Sequence, residues 1–497
     1  MRLPTGDDAG DLASNRIGSL RSFWPVSPRS YIAELRETMS LAFPIILGQV
    51  SQMLMGITDA VMVGRIGKVP LAASAFANSL FTVVFVVGIG VLTSVSVLVA
   101  RAHGARQPRE CAEFLRHGMF LGLALGAVGA PAMLAVTPWL DHFGQPAEVV
   151  VAMQPYFQIV AVSLLPTLVF QVLRQFSEAV GHPWAPVGLL LGGVGLNVLL
   201  NWILIYGHLG APALGLEGAG WATLAARLVA AFALWWWLGR RQEVRMEWPS
   251  FAKPTEGGPS FGGEAEGKSI NPSWVAAISW VRLREMLGIG GPAAGQLLFE
   301  VGAFTAAALM MGWLGTVALA AHQIALSCAA FTFMFPLGIS IAVSVRIGRA
   351  VGEGRRERLR PIAFGALGAG AAIMLGFALL IAVAGRGLAA GFTAEPEVIA
   401  LATRLLVVAA IFQLFDGAQV IGVGVLRGLA DVKVPTALTF VAYWLIALPG
   451  GYWLGVHQGY GPMAIWGALA AGLGSAALLF SWRVWVKTSP GNLSLAP

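Results

Sequence analysis

Apolar residues run along this chain in long unbroken blocks, separated by short polar stretches. A helix needs about 20 apolar residues to cross the hydrocarbon core of a bilayer. Twelve blocks reach that length, at 38–64, 70–99, 115–138, 149–176, 184–208, 217–239, 285–313, 318–345, 361–385, 397–426, 434–456 and 462–482. Barrel strands would alternate polar and apolar positions, and these blocks do not. The pattern predicts an all-α polytopic membrane protein with twelve transmembrane helices.

The blocks also repeat. Shifting the first half by 248 residues aligns Pro44 with Pro292, Gly64 with Gly312, Gly90 with Gly338, Arg101 with Arg349 and Gly104 with Gly352, without a gap. A shift of 249 aligns Pro186 with Pro435 and Gly218 with Gly467. Six spans per half give both halves the same orientation. The twelve helices are therefore expected as two six-helix bundles related by a parallel internal repeat, an arrangement that transporters use with substrate sites at the repeat interface. The predicted organisation is a polar cytoplasmic tail (1–37), an N-lobe with helices 1–6 (38–239), a cytoplasmic linker (240–284), a C-lobe with helices 7–12 (285–485) and a short cytoplasmic tail (486–497). Pro, Gly, Ser and Glu dominate the middle of the linker, as in flexible connectors.

Charge refines this picture. Only 11% of the 497 residues are charged, against about a quarter in soluble proteins. The formal charge of +7 does not point to nucleic acid. With the N-terminus inside, the tails, the even-numbered loops and the block ends beside them carry 27 of the 32 basic residues. That bias predicts cytoplasmic termini. The 62 glycines suit close helix approach in lipid. Cys111 falls in a basic loop and Cys328 in an apolar run, so neither a disulfide nor a metal set is expected. The first 37 residues lack a signal-peptide apolar core and read as a mostly disordered tail.

Three carboxylates lie inside apolar blocks: Asp59, Glu300 and Asp416. A charge at the centre of a bilayer is costly, so such residues mark ion or substrate handling. At about 1.5 Å per residue, Asp59 is about 33 Å along its helix from Glu37, toward the outer side. Glu300 is about 24 Å beyond Arg284 on the same scale, and Asp416 lies midway between Arg404 and Arg427. All three are predicted to reach an outward-facing cavity between the lobes. A structural acid tied to a polar neighbour is the alternative, strongest for Asp59. The repeat does not relate the acids: Asp59 aligns with Ala307 and Glu300 with Gln52.

Asn197 and Asn201 are four apart and share a helix face. They would serve either as partners of Asp59 or as interhelical hydrogen-bond glue. Pro44 and Pro292 interrupt backbone hydrogen bonding, giving a moving hinge or a static kink. Arg227, mid-span in the sixth helix, reads as structural, as does the pair His322 and Gln323. Met53, Met55, Met62, Phe81, Phe85, Met310, Met311, Phe331, Phe333 and Met334 could supply adaptable or cation-attracting surface, although most such residues pack helices or face lipid. No Walker A sequence, nucleophile triad or acidic diphosphate motif is present, so no enzyme is expected.

The stretches GITDAVMVGRIG, GLNVLLNWILIYG, QLLFEVGAFTAAALM, FMFPLGISIAVSVRIGRAVGEG and LFDGAQVIGVGVLRGLAD resemble the multidrug and toxic compound extrusion (MATE) family, in particular its NorM-like bacterial branch. The resemblance covers about 38–485. It implies antiport of cationic or amphipathic small molecules against Na⁺ or H⁺, no cofactor, and a monomer in the bacterial inner membrane. It further implies an N-lobe cation or substrate centre of Asp59, Asn197 and Asn201, and a C-lobe centre of Glu300 and Asp416, where a Na⁺ is the one metal to expect. Phe412 stands where some relatives carry a tyrosine, which removes one oxygen from the second centre. Export of one endogenous metabolite or lipid-linked precursor on the same scaffold is the alternative function.

Overall fold

The computed structural model describes residues 28–143, 145–241 and 278–489. The expected tail up to residue 27, the middle of the expected linker (242–277) and the end of the chain (490–497) lie outside the described residues. Among those described there is no strand. Among the described residues, twelve helical spans are long and apolar enough to cross a membrane. In chain order they are α1 Pro28–Gly64, α2 Lys68–Gly104, α3 Pro108–Ala135 and α4 Ala147–Ala179. Next come α5 Trp184–Tyr206, α6 Gly215–Arg240, α7 Trp280–Trp313 and α8 Thr316–Gly352. The last four are α9 Leu359–Phe392, α10 Pro396–Gly428, α11 Lys433–His457 and α12 Pro462–Lys487. Helices dominate because a bilayer offers no water to satisfy backbone groups.

Several expectations about the helix ends change. α1 begins at Pro28, so residues 28–37 are helical rather than a disordered tail. Cys111 lies buried inside α3, not in a loop. The fourth span is two consecutive helices, Ala147–Val162 and Leu164–Ala179, broken at Ser163. The break has a local cause: Pro166 has no N–H to offer the Val162 carbonyl. α4 also runs past its expected end, which brings Glu178 into the helix beside Arg174. In α11, π-helical stretches at Val441–Ala447 and Tyr452–His457 flank Pro449, which likewise lacks a donor.

An even number of spans brings residues 28, 241, 278 and 489 to one face, here called the terminal face. There the two halves pack tightly. A Cβ on Gly104 would lie 2.2 Å from the Arg349 carbonyl oxygen, and one on Gly352 would lie 2.0 Å from that of Arg101. Only glycine permits this reciprocal crossing of α2 and α8. The same reciprocity relates Gly90 against Ala294 to Gly338 against Ile46. These pairs follow the 248-residue shift of the sequence repeat.

The first turns of α1 and α7 cross between the halves. Ala42, Ile45 and Ile46 pack in a core with Ile339, Ile347, Leu359 and Ile362. Leu283, Met286 and Ile289 join the core of the first half with Leu98, Phe114 and Leu115. An ion cluster reinforces the α1 crossing. Arg346 on α8 pairs with Glu34 and Glu37 and donates to the Thr38 hydroxyl (2.6 Å). Arg358, preceding α9, donates to Glu34 (2.6 Å) and Glu37 (3.1 Å). From Val91 to Ala100 every residue of α2 is buried, whereas only Ala73, Ser74, Ala77 and Phe81 are buried before Gly88. The halves thus close at the terminal face and part toward the opposite one.

Candidate functional site

Two polar centres sit beyond the closed face, one per half, and they are built differently. In the first half, Asp59 faces α5 and α6. Asn201 donates to its Oδ1 at 2.6 Å, and the Thr223 hydroxyl donates to its Oδ2 at 3.4 Å. Asn201 also donates to the Asn197 side-chain oxygen (3.1 Å), and Asn197 donates to the Thr223 hydroxyl (3.4 Å). Both asparagines are fully buried. The four-residue spacing thus puts them on one face, and α6 adds Thr223, which no sequence feature singles out. One turn further along α6, Arg227 donates to Ser163 (2.5 Å) and lies over the Phe81 ring. It braces the α4 break. Asn78 donates to the Tyr156 hydroxyl (3.4 Å).

In the second half, Glu300 on α7 and Asp416 on α10 line a cavity of about 360 Å³ between the halves. That volume suits a small organic ligand. Neither carboxylate accepts a hydrogen bond from a protein donor among the described residues. Gln413, one turn before Asp416, is fully buried with neither amide atom partnered. Arg427 lines the cavity further along α10. A carboxylate removed from water without donors or a fixed partner is unfavourable until a cation or proton joins it.

The sequence predicts that all three acids reach the cavity between the lobes. Glu300 and Asp416 line it, but Asp59, Asn197 and Asn201 do not. Asp59 is turned away by its bonds to α5 and α6. The first half contributes its own polar group to the cavity, which sequence reasoning missed. Arg174 donates to Glu178 (2.7 Å) and to the Gln49 side-chain oxygen (2.5 Å), joining α4 to α1. Gln52, the repeat equivalent of Glu300, lines the cavity too, with Gln296. Of the ten methionines and aromatics named from the sequence, Phe333 is the one among the lining residues; Phe304 and Phe412 are the other aromatics there.

Both prolines lie where α1 and α7 leave one half for the other. Pro44 precedes Ile45 and Ile46 in the C-half core, and Pro292 precedes Ala294 at the Gly90 contact. The helices continue through both. The carbonyl of Pro292 accepts a bond from Thr436 on α11 (2.8 Å). His322 does not pair with Gln323, which is exposed; its Nδ1 accepts from Trp466 Nε1 (3.1 Å).

The MatE family model matches twice, over residues 44–203 and 292–453. The two matches begin 248 residues apart, the shift of the internal repeat. The chain is 36% identical to multidrug resistance protein NorM of Burkholderia vietnamiensis, covering 95% of this chain and 97% of that one. It is 32% identical to multidrug resistance protein MdtK of Yersinia pestis (strain Pestoides F), covering 93% and 98%. Its fold is similar to that of the Vibrio cholerae MATE transporter VcmN in the bent form (TM-score 0.79, 22% identity, 94% and 100% covered). It is similar also to the eukaryotic MATE transporter AtDTX14 (TM-score 0.80, 18% identity, 94% and 99% covered).

Proposed function

The chain belongs to the multidrug and toxic compound extrusion family, and on that premise we propose that it is a cation-coupled exporter of cationic or amphipathic compounds in the bacterial inner membrane. The relatives named for multidrug resistance support the substrate class. One observation carries the mechanism: two carboxylates without hydrogen-bond donors line the cavity between the halves.

The bias of basic residues supports a cytoplasmic terminal face. The closed terminal face then corresponds to an outward-facing state. In this state Na⁺ or H⁺ enters from outside and neutralises Glu300 and Asp416. A cationic substrate held by the same acids loses its counter-charge and leaves. The loaded protein then opens at the terminal face, which requires the Glu34–Arg346–Arg358 cluster and the α2–α8 crossing to separate. Inside, substrate displaces the ion, because both need the same charges. Competition of that kind makes exchange obligatory without a further device. Pro44 and Pro292 are proposed hinges, since each marks a change of partner along its helix. Asp59, Asn197 and Asn201 form the second, N-half cation or substrate centre. Asp59 already accepts bonds from Asn201 and Thr223, so its need of a cation is smaller and the C-half acids bind first.

The test uses proteoliposomes loaded with a cationic dye, under Na⁺ and pH gradients imposed separately. Wild type should drive dye uphill with one of the two. Glu300→Gln and Asp416→Asn should each lower ion-driven transport by about a hundredfold, the upper range of ordinary site coupling. Undiminished coupled transport in both variants would sink the mechanism.

A further inference from the structure

The second half contains a buried hydroxyl that helix packing does not explain. Tyr443 lies in the first π-helical stretch of α11 and is fully buried, and its hydroxyl has no partner among the described residues. Buried polar atoms are normally satisfied, and each exception calls for a cause. A π-helical stretch in an otherwise α-helical span often marks a functional site.

Aromatic contacts fix where this phenol sits. The Phe304 ring meets Tyr443 with centroids 6.1 Å apart, and it meets Phe412 at 6.0 Å. Phe304 is one turn after Glu300, and Phe412 is one turn before Asp416. The Tyr443 ring thus packs on Phe304 beside the Glu300 turn, and Phe304 in turn packs on Phe412 beside the Asp416 turn. Phe412, which is closer in sequence to Asp416, has no oxygen to contribute.

We propose that Tyr443 is a ligand of the coupling ion, its hydroxyl oxygen completing the site made by Glu300 and Asp416. This rests on the coupling reading above and adds a third helix to the ion site. Small hard cations take carboxylate and neutral oxygen ligands together. If the ion is a proton, the carboxyl that takes it donates to the same hydroxyl oxygen. Either way α11 senses occupancy of the site, and its Thr436 already bonds to the Pro292 carbonyl.

Tyr443→Phe removes the oxygen and keeps the ring on Phe304. Purified full-length wild type and variant are compared by thermal unfolding. NaCl is titrated against choline chloride at fixed pH, and pH is titrated at fixed Na⁺. Ion binding to the native state raises the unfolding midpoint according to its affinity. The variant should be at least as stable as wild type without ion, because it has lost an unpartnered hydroxyl. The ion concentration giving half of the stabilisation should rise about tenfold, which for a proton is a midpoint about one pH unit lower. Equilibrium dye affinity should stay within about twofold. An unchanged ion dependence overturns the assignment. Parallel loss of stability and dye affinity also overturns it, by showing a packing role. A wild type that responds to neither ion overturns the coupling reading and this assignment with it.

Discussion

The Asp59 centre and the Glu300–Asp416 centre both set carboxylates among amides and hydroxyls, but only at Asp59 does a carboxylate accept hydrogen bonds from protein donors among the described residues. Asp59 accepts bonds from Asn201 and Thr223, and these are joined through Asn197. Around Glu300 and Asp416, Gln413 and the Tyr443 hydroxyl are buried without partners. A bonded network holds three helices of one half together. An unbonded one is a place where a cation gains most, because no protein donor among the described residues already occupies the carboxylate oxygens. The two halves share a scaffold to the residue where they cross, as the reciprocal glycine contacts demonstrate. They differ in which polar side chains that scaffold carries and in whether those side chains already bond each other.

This contrast can be broken by mutation. Asn201→Ala should cost about 1–3 kcal/mol, because it strands a buried carboxylate. Gln413→Leu, of similar size, should cost nothing or raise the unfolding midpoint, since it removes two unpartnered polar atoms. Denaturant or thermal unfolding in detergent reads both variants. Equal destabilisation by the two would erase the distinction between the centres. A smaller effect sharpens it: Thr223→Val removes two 3.4 Å bonds and should cost about 0.6 kcal/mol, the usual scale for interhelical bonds in bilayers. A loss several times larger would make Thr223, and not Asn201, the main support of Asp59.

The helices were legible in the sequence because a bilayer leaves the backbone no alternative to internal hydrogen bonding. The repeat was legible because prolines and glycines do not drift freely where helices cross closely. Partners in space were much less so. The block at 38–64 says nothing about its first turns belonging with Ile339 and Leu359 and its last with Asn201. Glu178 looked like loop because it follows the apolar run, yet α4 continues and Arg174 takes it as a buried partner. Thr223 and Tyr443 carry no sequence signal at all. One resembles any helical threonine, and the other any aromatic in an apolar span. Asn197 and Asn201 stood out because paired amides in a bilayer are costly without a reason.

The central claim is that the coupling ion binds first at the C-half acids and that Asp59 is held in reserve by its own hydrogen bonds. Ion-dependent quenching of intrinsic tryptophan fluorescence tests it most directly, in wild type, Asp59→Asn and Asp416→Asn, with Na⁺ titrated at fixed pH and H⁺ at fixed Na⁺. Asp416→Asn should weaken the apparent ion affinity at least about tenfold, while Asp59→Asn should leave it within about threefold. The reverse order, with Asp59→Asn abolishing the response and Asp416→Asn retaining it, would contradict the account.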